Sequence, residues 1–148
     1  EQRRVFSMIP ALHNAEFLRY GVMHRNTFLD SPRLLDRYYR LKKEPRIAFA
    51  GQMTGVEGYI ESTASGWTAG VAAAMEVLGR PMPQLDRFTA VGALASYISD
   101  HTVTKFQPMN INFGIIEPLG CKIKGKREKN AKISERALER IESLKGEL

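Results

Sequence analysis

The sequence predicts an α/β segment that is not a complete doubly wound sheet on its own. A short apolar run, RIAFA at 46–50, leads into a glycine-rich loop, and a long stretch with helical spacing follows the loop. Three or four strand-like runs are present, and they are scattered along the chain. A doubly wound domain begins instead with a strand and the fingerprint G-x-G-x-x-G, which this chain lacks.

The composition is that of a globular protein with a core. The chain has 148 residues, of which 43% are apolar. No apolar run approaches the length of a membrane span, and no signal-like segment opens the chain, so we expect no membrane partner. The single cysteine, Cys121, excludes an internal disulfide and fits the cytoplasm. Because the chain begins at Glu1 rather than Met, we expect a processed chain or a piece of a longer one.

The charge favours a polyanionic partner. The formal net charge is +6. Nucleic acid is the first candidate for such a protein, and a basic surface that serves only solubility is the alternative.

The first fifty residues predict little regular structure. Residues 1–17 resemble an irregular lead-in, and residues 16–28 predict extended chain around a polar centre. Pro32 is expected to begin a short helix through 33–39, because proline suits the first helical position. After a charged turn at 42–45, residues 46–50 predict a short buried strand.

The long helix predicted at 60–78 is the clearest element. One stripe at helical spacing is apolar, and a second stripe consists of small residues, so we expect a helix buried on two sides. The apolar stripe is Ile60, Ala64, Trp67, Val71, Ala74 and Leu78; the small stripe is Ser62, Gly66, Ala69, Gly70 and Ala73.

Three further elements are predicted towards the C-terminus. Gly79 is expected to end the long helix, and Thr89 to cap a second helix at 90–99. Alternating residues at 106–118 predict a strand with Met109, Ile111, Phe113 and Ile115 on one face. A charged amphipathic helix closes the chain at 126–148, with an apolar side of Ile133, Ala137, Leu138, Ile141 and Leu144.

The loop AGQMTGVEGY at 50–59 is the first candidate site. It holds three glycines within eight residues, between a strand and a helix. Free N–H groups and the dipole at the start of a helix can bind an anion or a polarised carbonyl. The spacing G-x-x-x-G-x-x-G is neither a phosphate-binding P-loop nor a dinucleotide fingerprint, so a plain tight turn is the alternative.

Four long blocks carry a resemblance to a known family. YGVMHRNTFLDSP, FAGQMTGVEGYIES, TAVGAL and FQPMNINFG occur in this order. Together they resemble the C-terminal third of the folate- and FAD-dependent tRNA (uracil-5-)-methyltransferases, the TrmFO family. The related flavoproteins that modify wobble uridines with carboxymethylaminomethyl groups share the glycine loop but read TTGYEEA where this chain reads VEGYIES. The methyltransferase is therefore preferred.

The resemblance implies both a fold and a reaction. The fold would be the C-terminal part of a glutathione-reductase-like FAD-binding domain with a helical C-terminal tail. Residues 1–45 would face the flavin and folate site and could border an inserted substrate domain, and residues 46–148 would complete the FAD-binding domain. FAD reduced by NAD(P)H would help to transfer a one-carbon unit from methylenetetrahydrofolate to C5 of the T-loop uridine of tRNA.

The resemblance also implies cofactor contacts. The glycine loop would run along the flavin, and the start of the next helix would face the N1–C2=O edge of the ring. Tyr59 could stack near the ring or simply pack, and Glu57 is expected to point away from it. The expected FAD-binding residues are Gly51, Gln52, Thr54, Gly55, Val56, Gly58 and Tyr59.

A second set of residues would contact folate. His24 would stack on the pterin, Arg25 would bind a carboxylate or phosphate, and Asn26 would lie beside them. The alternative is that His24 caps a turn and Arg25 pairs with a carboxylate such as Asp30. The other histidines have no acidic or cysteine neighbours at metal-ligand spacing, so no metal site is predicted.

No catalytic residue is expected in this segment. Cys121 lies in a basic loop outside the four blocks, and the nucleophilic cysteines of the family belong to upstream parts of the protein. The chain alone is therefore expected to be inactive and to depend on the missing N-terminal part. A non-catalytic basic RNA-binding or interaction fragment is the alternative from another class.

A basic run is the candidate RNA contact. Residues 122–132 hold six basic residues and one acidic residue. Lysine and arginine bind phosphates and position RNA without recognising its sequence. No aromatic residues are interleaved, so base stacking is not predicted, and a solvated face is the alternative. The candidates are Lys122, Lys124, Lys126, Arg127 and Lys129.

Overall fold

The structure, a computed structural model, describes residues 1–21 and 26–146. These residues form a mixed α/β arrangement whose sheet has two strands, so the prediction of an incomplete sheet is confirmed. No helix among them is long and apolar enough to cross a membrane. The helices are α1 (Gln2–Phe6), α2 (Ser31–Leu34), α3 (Tyr59–Val77), α4 (Ala90–Ser99) and α5 (Lys126–Lys145), and the strands are β1 (Arg40–Leu41) and β2 (Glu44–Ala48).

The N-terminal segment contains more structure than the sequence predicts. Residues 1–17, expected to be irregular, include α1 and a 3₁₀ turn at Pro10–Leu12. The rings of Phe6 and Phe17 stack at 5.2 Å between centroids, and those of Phe17 and Tyr20 at 5.0 Å. This stack of three rings gives the segment an apolar contact of its own, although α1 buries none of its residues.

Helix α2 is much shorter than predicted. It ends at Leu34, whereas a helix through 33–39 was expected. The Asp36 carboxylate accepts the backbone N–H groups of Tyr38 and Arg40, at 2.8 and 2.9 Å. Aspartate favours such turns because its side chain competes with the helix for backbone donors. The chain therefore turns at Asp36 and enters a hairpin.

The hairpin corrects two predictions. Strands β1 and β2 pair antiparallel, with Arg40 opposite Ala48 and Leu41 opposite Glu44. The predicted strand at 46–50 exists but begins two residues earlier, and the sequence analysis missed β1. The expected burial of this strand is wrong, since Ile47 is 47% exposed.

Helix α3 begins and ends within one residue of its predicted bounds, but its predicted burial on two sides is wrong. Ile60 is 80% exposed, Trp67 46% and Leu78 66%, so the apolar stripe faces outwards. The buried face lies between the two predicted stripes and shares only Ala69 with the small one, since Gly66, Gly70 and Ala73 are exposed. It consists of Ser65, Thr68, Ala69, Ala72 and Met75.

Helix α4 lies in the core and matches its predicted bounds. The Thr89 hydroxyl accepts the Gly92 N–H at 3.0 Å, which confirms the predicted N-cap. This cap fixes the start of a helix that packs between α2 and α3. The buried cluster around it consists of Leu35, Tyr39, Val56, Ala69, Leu94, Ala95, Ile98 and Phe106.

The strand predicted at 106–118 does not form. One parallel bridge joins Met109 to Val56, and the chain then turns at 113–115. The Asn112 side chain accepts the Gly114 N–H at 2.9 Å, and the Ile115 N–H donates to the Asn112 carbonyl at 3.3 Å. Phe113, predicted to share a face with the half-buried Ile115, is 45% exposed at this turn.

Helix α5 is confirmed, but it buries less than its pattern predicts. Ile133 and Leu144 are buried, whereas Leu138 is 68% exposed. Much of its attachment is polar: the Arg140 guanidinium donates to the Asp86 carboxylate at 2.6 Å. Arg136 donates to the backbone carbonyls of residues 117–118 and lies over the Phe88 ring, 4.6 Å from the centroid.

We expect Gly92→Ala to destabilise the chain. A Cβ at Gly92 would overlap the backbone carbonyl of Asp86, and Asp86 also accepts the Phe88 N–H and the Thr89 hydroxyl, so it has little freedom to move. The expected cost is about 1–3 kcal/mol, measured by denaturant unfolding. The matched control is Gly70→Ala in α3, where a Cβ would meet nothing within 4 Å. This control should stabilise by up to about 1 kcal/mol, and equal midpoints for the two variants would contradict the close contact.

Candidate functional site

The glycine loop is a tight structure built on positive backbone angles. It begins with a 3₁₀ turn at Gly51–Thr54, and φ is +71° at Gly51, +87° at Gly55 and +92° at Gly58. Residues with a Cβ rarely adopt these angles. The Ser65 hydroxyl of α3 accepts the Gly51 N–H at 2.7 Å, which fastens the start of the loop to the helix that follows it.

The inner face of the loop belongs to the core. The side chains of Thr54 and Val56 are fully buried, and the Thr54 hydroxyl donates to the Gly51 carbonyl at 2.8 Å. The Ser31 hydroxyl donates to the Thr54 carbonyl at 2.8 Å. A Cβ at Gly55 would overlap the Phe106 ring. Any contact from Thr54 or Val56 to a ligand would therefore come from the backbone.

The outer face of the loop is accessible. Gln52 and Gly58 are exposed, and Tyr59 is 94% exposed. The first N–H groups of α3, those of Tyr59 and Ile60, have no partner within the helix. With the positive end of the helix dipole behind them, they can donate to an anion or a polarised carbonyl.

A distant segment completes this face. Met109 donates its N–H to the Gly55 carbonyl and accepts the Glu57 N–H, both at 3.0 Å. These bonds place residues 109–111 beside the start of α3. A Cβ at Gly58 would meet the Asn110 amide at 2.9 Å and would overlap the Glu61 carboxylate.

Glu61 joins the two segments. Its carboxylate accepts the Ile111 N–H at 3.2 Å and the Asn110 amide at 3.5 Å. A hydrogen bond from its own backbone N–H holds the pKa of Glu61 below the usual value; partial burial opposes this, and the donors of Ile111 and Asn110 assist it. Sequence analysis missed both Glu61 and Asn110. The available signal was an acidic residue at the third helical position, where glutamate reaches back to backbone donors.

Two of the three residues predicted to contact folate lie outside the residues that the structure describes. His24 and Arg25 lie outside the described residues, and Asn26 is exposed. The chain reaches the glycine loop three residues later, where the Leu29 N–H donates to the Met53 carbonyl at 2.8 Å. Asp30, the alternative partner of Arg25, pairs with Arg33 at 3.4 Å.

The residues predicted to contact RNA are accessible to solvent. Lys122, Lys124, Lys126, Arg127 and Lys129 are all exposed. Cys121 is exposed beside them. Across residues 1–21 and 26–146, no group of three His, Cys, Asp or Glu could hold a metal ion.

A cavity lies beside these cations. Its volume is about 760 Å³, and Lys126 and Lys129 line one part of it. The turn that carries Phe113 lines another part, so the fold brings an aromatic ring to a basic run that has none in its own sequence. The lining residues are Ile111, Asn112, Phe113, Gly114, Ile123, Gly125, Lys126, Lys129 and Asn130.

The sequence of the first half of the chain, which includes the glycine loop, matches a known family. The family model described as glucose inhibited division protein A matches residues 1–81, more than half of the chain. The chain belongs to this family.

Named relatives are similar over nearly the whole chain. The methylenetetrahydrofolate–tRNA-(uracil-5-)-methyltransferase TrmFO of Acetivibrio thermocellus is 58% identical over 93% of this chain and 32% of its own length. The proteins of the same name from Desulfitobacterium hafniense and Listeria monocytogenes are 54% and 52% identical over 98% and 100% of this chain. The predicted resemblance is confirmed. The chain spans about a third of the length of these curated relatives.

We expect Glu61→Ala to weaken the attachment of residues 109–111 to α3. The free energy of unfolding at neutral pH should fall by about 1 kcal/mol, the low end for a hydrogen bond to an accessible charged group. Because the folded pKa lies below the ordinary value of 4.5, this contribution is complete above that value and is lost as the pH falls through the folded pKa.

Denaturant unfolding at several pH values tests this expectation. The difference between Glu61→Ala and the unmodified chain should shrink as the pH falls below 4.5. Glu57→Ala is the control, since it removes a carboxylate from the same loop but leaves the hydrogen bond to Ile111. A difference that does not depend on pH would contradict the role of the carboxylate.

Proposed function

We propose that this chain is part of a flavoprotein that methylates C5 of the T-loop uridine of tRNA. The one-carbon unit would come from methylenetetrahydrofolate, and NAD(P)H would reduce the FAD in the cytoplasm. The observation that carries the proposal is the identity of 52–58% to proteins named for this folate-dependent reaction, over 93–100% of the chain. Because the chain spans a third of those proteins, the activity is that of the whole protein.

The glycine loop supports the flavin part of the proposal. When bound, the flavin would accept hydride from NAD(P)H and pass on the one-carbon unit. The N–H groups of Tyr59 and Ile60 are fixed donors that suit the polar N1–C2=O edge of the ring. Donors held in place by a folded backbone stabilise developing negative charge without reorganising. We place the loop, as part of a glutathione-reductase-like domain, along this edge of the ring.

The roles of the loop residues follow from their exposure. Gly51, Gly55 and Gly58 supply the positive φ angles that shape the loop beside the ring, and Gln52 offers an exposed amide to the polar edge of the ring. Thr54 and Val56 would contribute backbone atoms, because their side chains are buried. The exposed ring of Tyr59 is free to cover the flavin or to pack against another part of the protein.

We propose that folate binds beside the same loop. His24, Arg25 and Asn26 would meet the pterin and the carboxylates of folate. The hydrogen bond from the Leu29 N–H to the Met53 carbonyl supports the proposal, because it holds the chain against the glycine loop three residues after Asn26. A folate contact there would lie on the same side of the molecule as the flavin contact.

The remaining part of the protein would cover α3. The outward stripe of α3 contains Ile60, Trp67 and Leu78, which are 46–80% exposed. A contiguous apolar face of this kind marks a surface that packs against another part of a protein. The relatives are about three times as long as this chain. We propose that their additional part covers this stripe and supplies the nucleophilic cysteines.

Isotope transfer tests the reaction. The full-length protein, given labelled methylenetetrahydrofolate, NAD(P)H and a tRNA transcript, should produce labelled 5-methyluridine in the T-loop. Nucleoside mass spectrometry with fragment mapping locates the label. Label at the wobble position would favour the related carboxymethylaminomethyl-modifying class. A protein that binds tRNA but transfers no label would favour a non-catalytic RNA-binding role.

Glycine variants test the flavin site. We expect Gly55→Val and Gly58→Val to remove flavin from the full-length protein, because each substitution disfavours a positive φ and fills space beside the loop. The measurement is flavin absorbance per mole of folded protein, with circular dichroism to confirm folding. Gly120→Val is the matched control, since a Cβ there meets nothing within 4 Å. Full flavin occupancy and unchanged affinity in both loop variants would refute the assignment.

A further inference from the structure

The cavity beside α5 adds an aromatic ring, which the basic run lacks, to the polar and charged groups of that run. Phe113 presents an aromatic ring that is 45% exposed. Lys126 and Lys129 bring positive charge, and Asn130 brings an amide that can donate and accept hydrogen bonds. Ile111 and Ile123 add an apolar part to the lining.

The backbone turn that carries Phe113 is held by hydrogen bonds. The Asn112 side chain accepts the Gly114 N–H at 2.9 Å, and its amide donates to the Asn110 carbonyl at 3.3 Å. The Ile115 N–H closes the same turn on the Asn112 carbonyl. Rigid presentation reduces the entropy that a ligand must overcome when it stacks on a side chain.

The lining favours a nucleotide over a protein segment. It contains two lysines and no carboxylate, and Lys122, Lys124 and Arg127 lie close to it in the sequence. An adjoining groove of about 440 Å³, which shares Ile111 and Phe113, is lined mainly by apolar side chains. A protein surface would suit that groove better, whereas a base on the ring with its phosphate on the lysines suits the cavity.

We propose that this cavity binds an unstacked base of RNA, with Phe113 as the stacking surface and Lys126 and Lys129 at the phosphate. Unpaired RNA is recognised by stacking its bases on aromatic side chains. The cavity begins at Ile111, which Glu61 fastens to the start of α3. The bound base would therefore lie near the proposed flavin site. It would belong to a nucleotide that neighbours the reacting uridine. This inference rests on the proposed function for the identity of the RNA.

Binding of RNA to the full-length protein tests the proposal. Phe113→Leu keeps an apolar side chain but removes the ring, and Phe113→Trp keeps a ring. Stacking contributes about 1–3 kcal/mol per base, so Phe113→Leu should weaken binding of tRNA and of a short oligouridylate by about 5- to 150-fold. Phe113→Trp should bind close to normally.

The salt dependence of RNA binding distinguishes the contribution of base stacking from the contribution of phosphate contacts. Phe113→Leu should leave the slope of log affinity against log salt unchanged, because it releases no counterion. Changing Lys126 and Lys129 to Gln should flatten that slope by about 1.5, because it removes the two proposed phosphate contacts. Duplex RNA, whose bases are already stacked, should bind Phe113→Leu as well as it binds the unmodified protein.

Three outcomes would overturn the stacking site. These are normal oligouridylate binding by Phe113→Leu, an equal loss for Phe113→Leu and Phe113→Trp, and an equal loss for duplex and single-stranded RNA. The proposed function fails separately, when no label enters tRNA. If the unmodified protein transfers no label, but Phe113→Leu still weakens oligouridylate binding, the proposed RNA site stands and the proposed methyltransferase activity does not.

Discussion

The two hydrogen bonds between Met109 and the glycine loop are the constraint on which the rest of the arrangement depends. They join segments that are more than fifty residues apart, at Gly55 and Glu57, with both distances at 3.0 Å. Through them the start of α3, the exposed outer face of the loop and the turn at Phe113 become neighbours. These bonds place the loop that is proposed to contact flavin next to residues 109–111, from which the chain continues into the cavity that is proposed to bind RNA. The Glu61 carboxylate adds a second connection one residue beyond Asn110.

The bounds of the helices followed closely from the sequence, but their burial did not. Spacing and capping residues such as Thr89 predicted α4 to the residue and α3 to within one. Sequence periodicity predicts which side chains share a face of a helix. Whether that face is buried depends on which other segments pack against it. Ile60 and Trp67 therefore form the predicted stripe but remain exposed. Apolar and polar residues alternate at 106–118 with the period of a strand, but the chain forms a turn at 113–115, closed by Asn112, instead of a strand.

The candidate site was predictable only where it is local in sequence. The three glycines of the loop were expected to allow close approach, and all three adopt positive φ. Glu61 and Asn110 were missed because the contact between them spans 49 residues. Phe113 was assigned to a strand face, so its meeting with Lys126 could not be foreseen. Rules of periodicity and spacing describe local structure, so they cannot predict that two distant segments line the same cavity. That information comes from the tertiary structure.

The polar attachment of α5 has a consequence for how the protein responds to its medium. The helix carries several of the cations proposed to meet RNA, and it buries Ile133 and Leu144 as its apolar anchors. The ion pair of Arg140 with Asp86 supplies much of the remaining attachment. Dissolved ions screen exposed charges strongly and screen a partly buried pair, such as Arg140 with Asp86, to a smaller extent. Ionic strength therefore acts twice: it weakens the contacts with phosphate, and it loosens the support from which those contacts are made. The surface is thus more sensitive to salt than its count of lysines alone indicates.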